Sequence, residues 1–320
     1  MNTPKENRQR ILSQAPVINP VATIRSLRLT HPHKAIERAQ ERKKLSQWPQ
    51  PLLLAAGDHP ARLLTAWRGD PLALADRSWY LRTLIGFLAS QAVDGVEATP
   101  DVMEELLFLD SVLVEAGEKS FLDEKILIGT MNRSGLSGTC FEMADEASAF
   151  TISSARNLGL DGVKWMWRLA VDDPLTLQSQ RALVKGLTEA YEASFTVMLE
   201  VDWVEYRDGK WVSQLDQAGR MVELVGVASG WGPSSCNRYL ELPANEHLST
   251  ALGATTLPVC VLPPEVREPG PDVFEDYQVA PGLPVAGQLL GRDIMLAEDP
   301  VGLGCKVADY WRREFSANPV

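Results

Sequence analysis

The chain has 320 residues, 45% of them hydrophobic and 23% charged, which suits one large domain or two ordinary ones with a core that needs no disulfide staple. The net charge of −11 is uneven, because residues 1–45 hold ten Lys and Arg against three Asp and Glu, a local +7 that leaves −18 for the remainder. A basic arm without interleaved aromatics on so acidic a body argues against a nucleic-acid partner. The arm is expected either as a solvated helical extension or as a clasp on an acidic neighbouring subunit of a homo-oligomer. Cys140, Cys236, Cys260 and Cys305 are far apart and form no CxxC pair, which points to a reduced cytoplasmic protein. No export leader and no run of about 18 apolar residues is present, so no membrane contact is expected. His31, His33, His59 and His247 are too few for a three-histidine zinc site, and no metal or cofactor is expected.

Residues 1–20 read as poorly ordered, and Ile36–Gln47 as a charged surface helix, so that 1–50 form a partly helical basic extension and 51–320 one domain. From there an apolar run, a polar loop and an amphipathic segment alternate. Strands are expected at Pro51–Gly57, Val93–Ala98, Lys125–Met131, Gly162–Leu169, Phe195–Val201, Arg238–Pro243, Pro258–Leu262 and Val285–Leu290. Helices are expected at Pro71–Gln91, Thr99–Ala116 (with a Thr-Pro-Asp start), Ala144–Leu158, Pro174–Ala193, Asp216–Gly230, Asn245–Ala254, Pro271–Val279 and Pro300–Phe315. Eight strand–helix units in about 270 residues predict a (β/α)8 TIM barrel with an N-terminal helical extension. An open doubly wound sheet is the alternative, but no GxGxxG follows the first strand.

In such a barrel, chemistry sits at the carboxyl ends of the strands. The stretch LDGVKWMWRL over Leu160–Leu169 is central. Alternation places Lys164, Met166 and Arg168 on one face and Val163, Trp165 and Trp167 on the other. Burial lowers the pKa of a lysine, and a neutral amine attacks carbonyl carbon to form an imine. Equally, Lys164 reads as a barrel lysine paired with a carboxylate. After the first strand, Gly57 permits a turn, and Asp58 reads either as an acid beside Lys164 or as a turn-forming cap. His59 follows it as a substrate-binding candidate. Glu97 ends the second strand and can face the site, whereas Asp101 suits a helix N-terminus. After the third strand come Asn132 and Arg133, the latter able to hold a phosphate or carboxylate through two parallel hydrogen bonds. Glu200 and Asp202 lie two apart on the fifth strand, either as an acid/base pair or as counter-ions of Lys164 and Arg168. Tyr239 and Glu241 share a face of the sixth, and Gly291-Arg292 closes the eighth at a position that suits phosphate.

These segments together resemble the class I, Schiff-base aldolases of (β/α)8 fold, and most nearly the family found beside inositol-catabolism genes in actinobacteria, related to tagatose-bisphosphate and archaeal-type fructose-bisphosphate aldolases. The resemblance spans about residues 50–295 and rests on GDHPAR, DGVEATPD, KILIGTMNRSGLSG, GLDGVKWMWRL, FTVMLEVD and GR, in that order. It implies that Asp58 supports proton transfer, that Lys164 sits beside the substrate, that Glu200 acts in acid/base steps, and that Arg133 and Arg292 contact a substrate phosphate. It also implies an imine-forming lysine on the sixth strand, where this chain has Glu241, and phosphate-binding glycines after the seventh, where it has Pro263-Pro264. Three readings follow. One is a metal-independent aldolase that cleaves a ketose or deoxy-keto sugar acid through an imine on Lys164. Another is a barrel isomerase or Mg-assisted enzyme using Glu200, Asp202 and Glu241. The third is a sugar-binding barrel with little turnover.

Overall fold

Eight parallel strands close on themselves in the computed structural model, which describes residues 19–62, 64–66, 70–132, 135–136, 138–264 and 273–315. The strands are β1 (Leu52–Gly57), β2 (Gly95–Ala98), β3 (Ile126–Thr130), β4 (Gly162–Leu169), β5 (Thr196–Arg207), β7 (Arg238–Pro243), β8 (Val259–Leu262) and β9 (Gly287–Leu290). A further short strand, β6 (Lys210–Ser213), pairs antiparallel with the end of β5. The sheet order runs β4-β3-β2-β1-β9-β8-β7-β5, and pairing of β4 with β5 completes the ring. The TIM barrel expected from the alternation of apolar runs is therefore the fold.

The surrounding helices are α3 (Arg77–Ala89), α4 (Pro100–Glu115), α5 (Ile152–Asn157), α6 (Pro174–Glu192), α7 (Ala218–Ser229), α8 (Leu248–Leu252), α9 (Arg292–Met295) and α10 (Pro300–Phe315). Local chemistry fixes their starts. Asp76 caps α3 by accepting from the Trp79 amide at 3.0 Å, and Asp173 caps α6 ahead of Pro174. Thr99 precedes Pro100 as the sequence implies, but its hydroxyl donates to Asp101 at 2.6 Å instead of capping the backbone. The helix expected over Ala144–Leu158 shrinks to α5, preceded by a 3-10 turn at Glu142–Ala144. The one expected over Pro271–Val279 is a 3-10 turn at Glu275–Tyr277, its first two residues lying outside the described ones.

Alternation along β4 sorts the core into two layers. Val163, Trp165 and Trp167 face the helices, where Trp167 meets Trp231 edge-on with ring centroids 4.3 Å apart. Inside the ring, Leu52, Leu54, Ile126, Ile128, Met198 and Leu289 fill the lower lumen. At the end of β1, a Cβ on Gly57 would meet the Glu97 carbonyl at 2.9 Å, so the glycine there answers to the close approach of β2 rather than to a turn.

Two helices precede the barrel, α1 (Pro20–Thr30) and α2 (Lys34–Glu41), and both pack on α4. Their inner faces are tied to the barrel by ion pairs, and their outer faces are exposed. Arg28 pairs with Glu104, Lys34 with Glu115, Arg38 with Asp110 and Asp123, and Arg42 with Asp161. The basic arm and the acidic body thus neutralise each other within one chain, the nearest opposite charge being covalently tethered. Among the described residues no helix is long and apolar enough to cross a membrane.

Candidate active site

The lumen face of β4 carries Lys164 inward from a strand buried on both sides, and the amine ends 2% exposed. Three neighbouring strands each direct a glutamate at it. Lys164 Nζ lies 3.1 Å from Glu97 on β2, 3.0 Å from Glu200 on β5 and 3.1 Å from Glu241 on β7. The register explains the convergence, since Met166 pairs with Glu200 across β4–β5 and Glu200 pairs with Glu241 across β5–β7. Glu97 and Glu241 are fully buried, and both meet the Lys164 ammonium as well as each other.

Burial alone pushes the Lys164 amine down, but Glu200, Glu241, Glu97 and Asp58 outweigh it and hold the amine well above its ordinary value. Of the two readings of Lys164, the barrel lysine paired with carboxylates is the one this geometry matches. An opposite charge at about 4 Å is worth on the order of 4 kcal/mol at an effective dielectric of about 20, and three of them exceed the desolvation of one ammonium. Glu241 moves the other way from an ordinary acid. Its burial, then the adjacent Glu97, hold its carboxyl well above the usual range against the pull of Lys164. Glu241 therefore gives up its proton less readily than an exposed glutamate does.

Above this centre, Arg62 bridges Asp58 at 3.2 Å and Glu200 at 3.7 Å. Burial would raise the Asp58 pKa, but Arg62 and Lys164 hold it below the usual carboxylate range. His59, buried beside them, is pushed down to about 4, by burial first and then by the cations Arg62, Arg292 and Lys164 against the pull of Asp58. A cavity of about 590 Å³ opens at the carboxyl end of the barrel, lined in part by Arg62, Met166, Arg168, Glu200, Asp202 and Trp211. Lys164 is not among its lining residues; Glu200 stands between the amine and the cavity.

A model of the Cgl0159-like family matches residues 50–303, most of the chain. The chain belongs to the Cgl0159-like family. The crystal structure of Cgl0159 from Corynebacterium glutamicum is 30% identical and superposes with a TM-score of 0.82, covering 92% of this chain and 97% of that one. An archaeal fructose 1,6-bisphosphate aldolase shares the fold at 16% identity and TM-score 0.55, over 86% of this chain and 98% of that one. A second archaeal fructose-1,6-bisphosphate aldolase structure, with its catalytic Lys covalently bound to the carbinolamine intermediate, does so at 16% identity and TM-score 0.54 over the same shares. No curated protein matches the sequence.

In this Cgl0159-like barrel the residues singled out from the sequence divide. Lys164, Glu200, Glu241, Glu97 and Asp58 form one centre, with His59 beside it. Asp202 and Arg168 line the cavity higher up, Asp202 accepting from the Ser213 hydroxyl at 2.6 Å and Arg168 pairing with Glu142 at 3.0 Å. The acidic group supposed to bind Mg²⁺ is thereby split, and among the described residues no cluster of His, Cys, Asp or Glu is arranged to hold a metal ion. The ammonium occupies the point where the glutamates meet. Tyr239 shares a face with Glu241 but sits one layer lower, stacked on Trp48 at 5.6 Å. Asn132 is buried, its amide donating to the Met166 carbonyl at 2.7 Å and accepting from the Met166 amide at 3.0 Å, which ties β3 to β4. Gly291 donates its N–H to the Tyr277 hydroxyl and Arg292 donates to the Ala66 carbonyl, and neither is among the residues that line the cavity. Arg133 lies outside the described residues.

Sequence reasoning missed Arg62, Glu142 and the β5–β6 hairpin. The hairpin had a signal. Asp208-Gly209, both with positive φ, sits between the alternating runs Val204–Arg207 and Lys210–Ser213. Arg62 had none beyond its place after the first strand, because only closure of the ring brings it to Glu200.

Proposed function

We propose that this protein is a carbon–carbon lyase of the aldolase type that acts on a keto sugar through an imine on Lys164. The observation that carries the reading is the contact of Lys164 Nζ with Glu200, a carboxylate that also borders the cavity. Glu200 takes one proton from the ammonium, and the neutral amine adds to the substrate ketone. The carbinolamine then loses water, with the proton returned from Glu200 to the leaving hydroxyl. The iminium formed carries the same single positive charge as the ammonium, so the glutamates that hold one hold the other. Glu200, again ionised, accepts the proton of the substrate hydroxyl as the carbon–carbon bond breaks, and the electron pair passes into the iminium to give an enamine. The amine reaches this point from β4, and its nitrogen lies 3.1 Å from Glu241, the residue at the place on β7 where the resemblance puts the imine-forming lysine.

Borohydride added with free and phosphorylated keto sugars tests this. A reduced adduct mapped to Lys164 by mass spectrometry, absent from Lys164→Met, is the expected result. Full cleavage activity in Lys164→Met removes the mechanism. A second reading is favoured by the position of Lys164 beneath Glu200: the lysine stays a counter-ion and the carboxylates isomerise a sugar by proton transfer alone. That reading gives ketose–aldose interconversion without a borohydride adduct.

A further inference from the structure

We infer that the cavity takes an uncharged polyhydroxylated ketone, a free ketose without phosphate, with Trp211 as its stacking platform. The inference rests on the lyase reading for what happens to the ketone, but its evidence is the cavity itself. Among the described residues lining it, four are acids, Glu142, Glu200, Asp202 and Asp216, and two are cations, Arg62 and Arg168. Each cation already faces two carboxylates. Arg62 lies 3.2 Å from Asp58 and 3.7 Å from Glu200, and Arg168 lies 3.0 Å from Glu142 and 3.9 Å from Asp202. Among the described residues, a phosphate dianion brought here meets more acids than cations in a partly enclosed site, where repulsion is weakly screened.

Three prolines also line the cavity, Pro243, Pro263 and Pro264, and proline has no N–H to donate to an anion. They present apolar surface, suited to the C–H faces of a sugar. Trp211 supplies a second such face. It is brought to the cavity because β5 runs on past its partners and folds back through Asp208-Gly209 into β6, and its indole N–H is anchored to the Cys140 carbonyl at 3.3 Å. Acids that repel phosphate are the acceptors that hydroxyl groups need. Asp202, which accepts from the Ser213 hydroxyl, is among these acids.

The test is titration calorimetry on the full chain with paired probes: fructose, tagatose and sorbose, each against its own phosphate ester. The free sugar of at least one pair should bind about tenfold or more tighter than its ester, a difference of roughly 1.4 kcal/mol. Trp211→Ala should weaken the free sugar about tenfold, while Trp211→Phe, which keeps an aromatic face, should hold it within about threefold. Asp216→Lys, an exposed change at the rim, should raise affinity for the ester about tenfold. An ester that binds as tightly as its free sugar, absence of binding by all the free sugars, or full affinity in Trp211→Ala overturns the inference. The lyase reading is judged separately. An adduct on Lys164 formed only with esters keeps the lyase and removes the free-ketose class, whereas free-sugar binding without adduct or cleavage does the reverse.

Discussion

Lys164 Nζ lies 3.0 Å from a carboxylate oxygen of Glu200, and Glu200, unlike Glu97 and Glu241, also lines the cavity. One carboxylate therefore touches both the amine and the space a substrate would occupy. A buried lysine held by acids alone is an ion cluster. Glu200 is what gives this cluster a route to the substrate.

Glu200→Gln and Lys164→Met should consequently separate chemistry from stability. Glu200→Gln leaves the ammonium two carboxylates, and turnover on a cleaved keto sugar should fall at least about a hundredfold with little change in unfolding free energy. Lys164→Met removes the cation from Glu97 and Glu241, both fully buried, and should cost about 3–5 kcal/mol in urea unfolding as well as activity. Equal destabilisation by the two variants would show that the Glu200 contact is structural.

Burial and the adjacent Glu97 hold the Glu241 carboxyl well above the usual carboxylate range, so its neutral isostere should be tolerated. Glu241→Gln is expected to change stability at pH 7 by less than about 1 kcal/mol, since an amide replaces a carboxylic acid of the same shape. Chemical denaturation measures it. A loss near 3 kcal/mol would mean that the carboxylate form is the one the lumen holds.

His59 makes stability depend on pH in a defined window. Its folded pKa is about 4 against an ordinary 6.5, so below pH 6.5 the unfolded chain takes up a proton that the folded chain refuses. The contribution is complete above pH 6.5 and is lost as pH falls toward 4, by up to about 1.4 kcal/mol per unit. Unfolding free energies at pH 7 and pH 5 should therefore differ by about 2 kcal/mol more in the native protein than in His59→Gln. Parallel pH profiles of the two proteins would refute it.

The extension should be a structural part of the fold. Arg38, buried against the fully buried Asp110 at 2.6 Å, also reaches Asp123 at 2.6 Å. Arg38→Met leaves Asp110 uncompensated and should cost about 3–5 kcal/mol, read as a fall in melting temperature. A shift smaller than about 1 °C would place α1 and α2 outside the cooperative unit.

The barrel was legible because its signals are local. Apolar runs bounded by Gly and Pro, with Thr-Pro-Asp and Asp-Asp-Pro starts, locate strands and helices wherever side-chain period and capping agree with the final packing. Where they failed, tertiary context decided. The expected Ala144–Leu158 helix begins only at Ile152, because Ser148 and Ala149 donate their amides to the Met131 carbonyl and hold that stretch against β3. Strand alternation likewise set which residues of β4, β5 and β7 face inward, and so named Lys164, Glu200 and Glu241 as neighbours in principle.

What the sequence by itself determined is the ring of alternating strands, the inward face of each, and hence the presence of an amine and several acids in one lumen. What only the tertiary structure decided is their state. An isolated lysine in an apolar strand is driven toward neutrality by desolvation. Closing the ring sets three carboxylates around it within 3.1 Å, and Coulomb attraction at that range reverses the sign. Distance across the lumen is a property of closure, and no spacing along the chain encodes it.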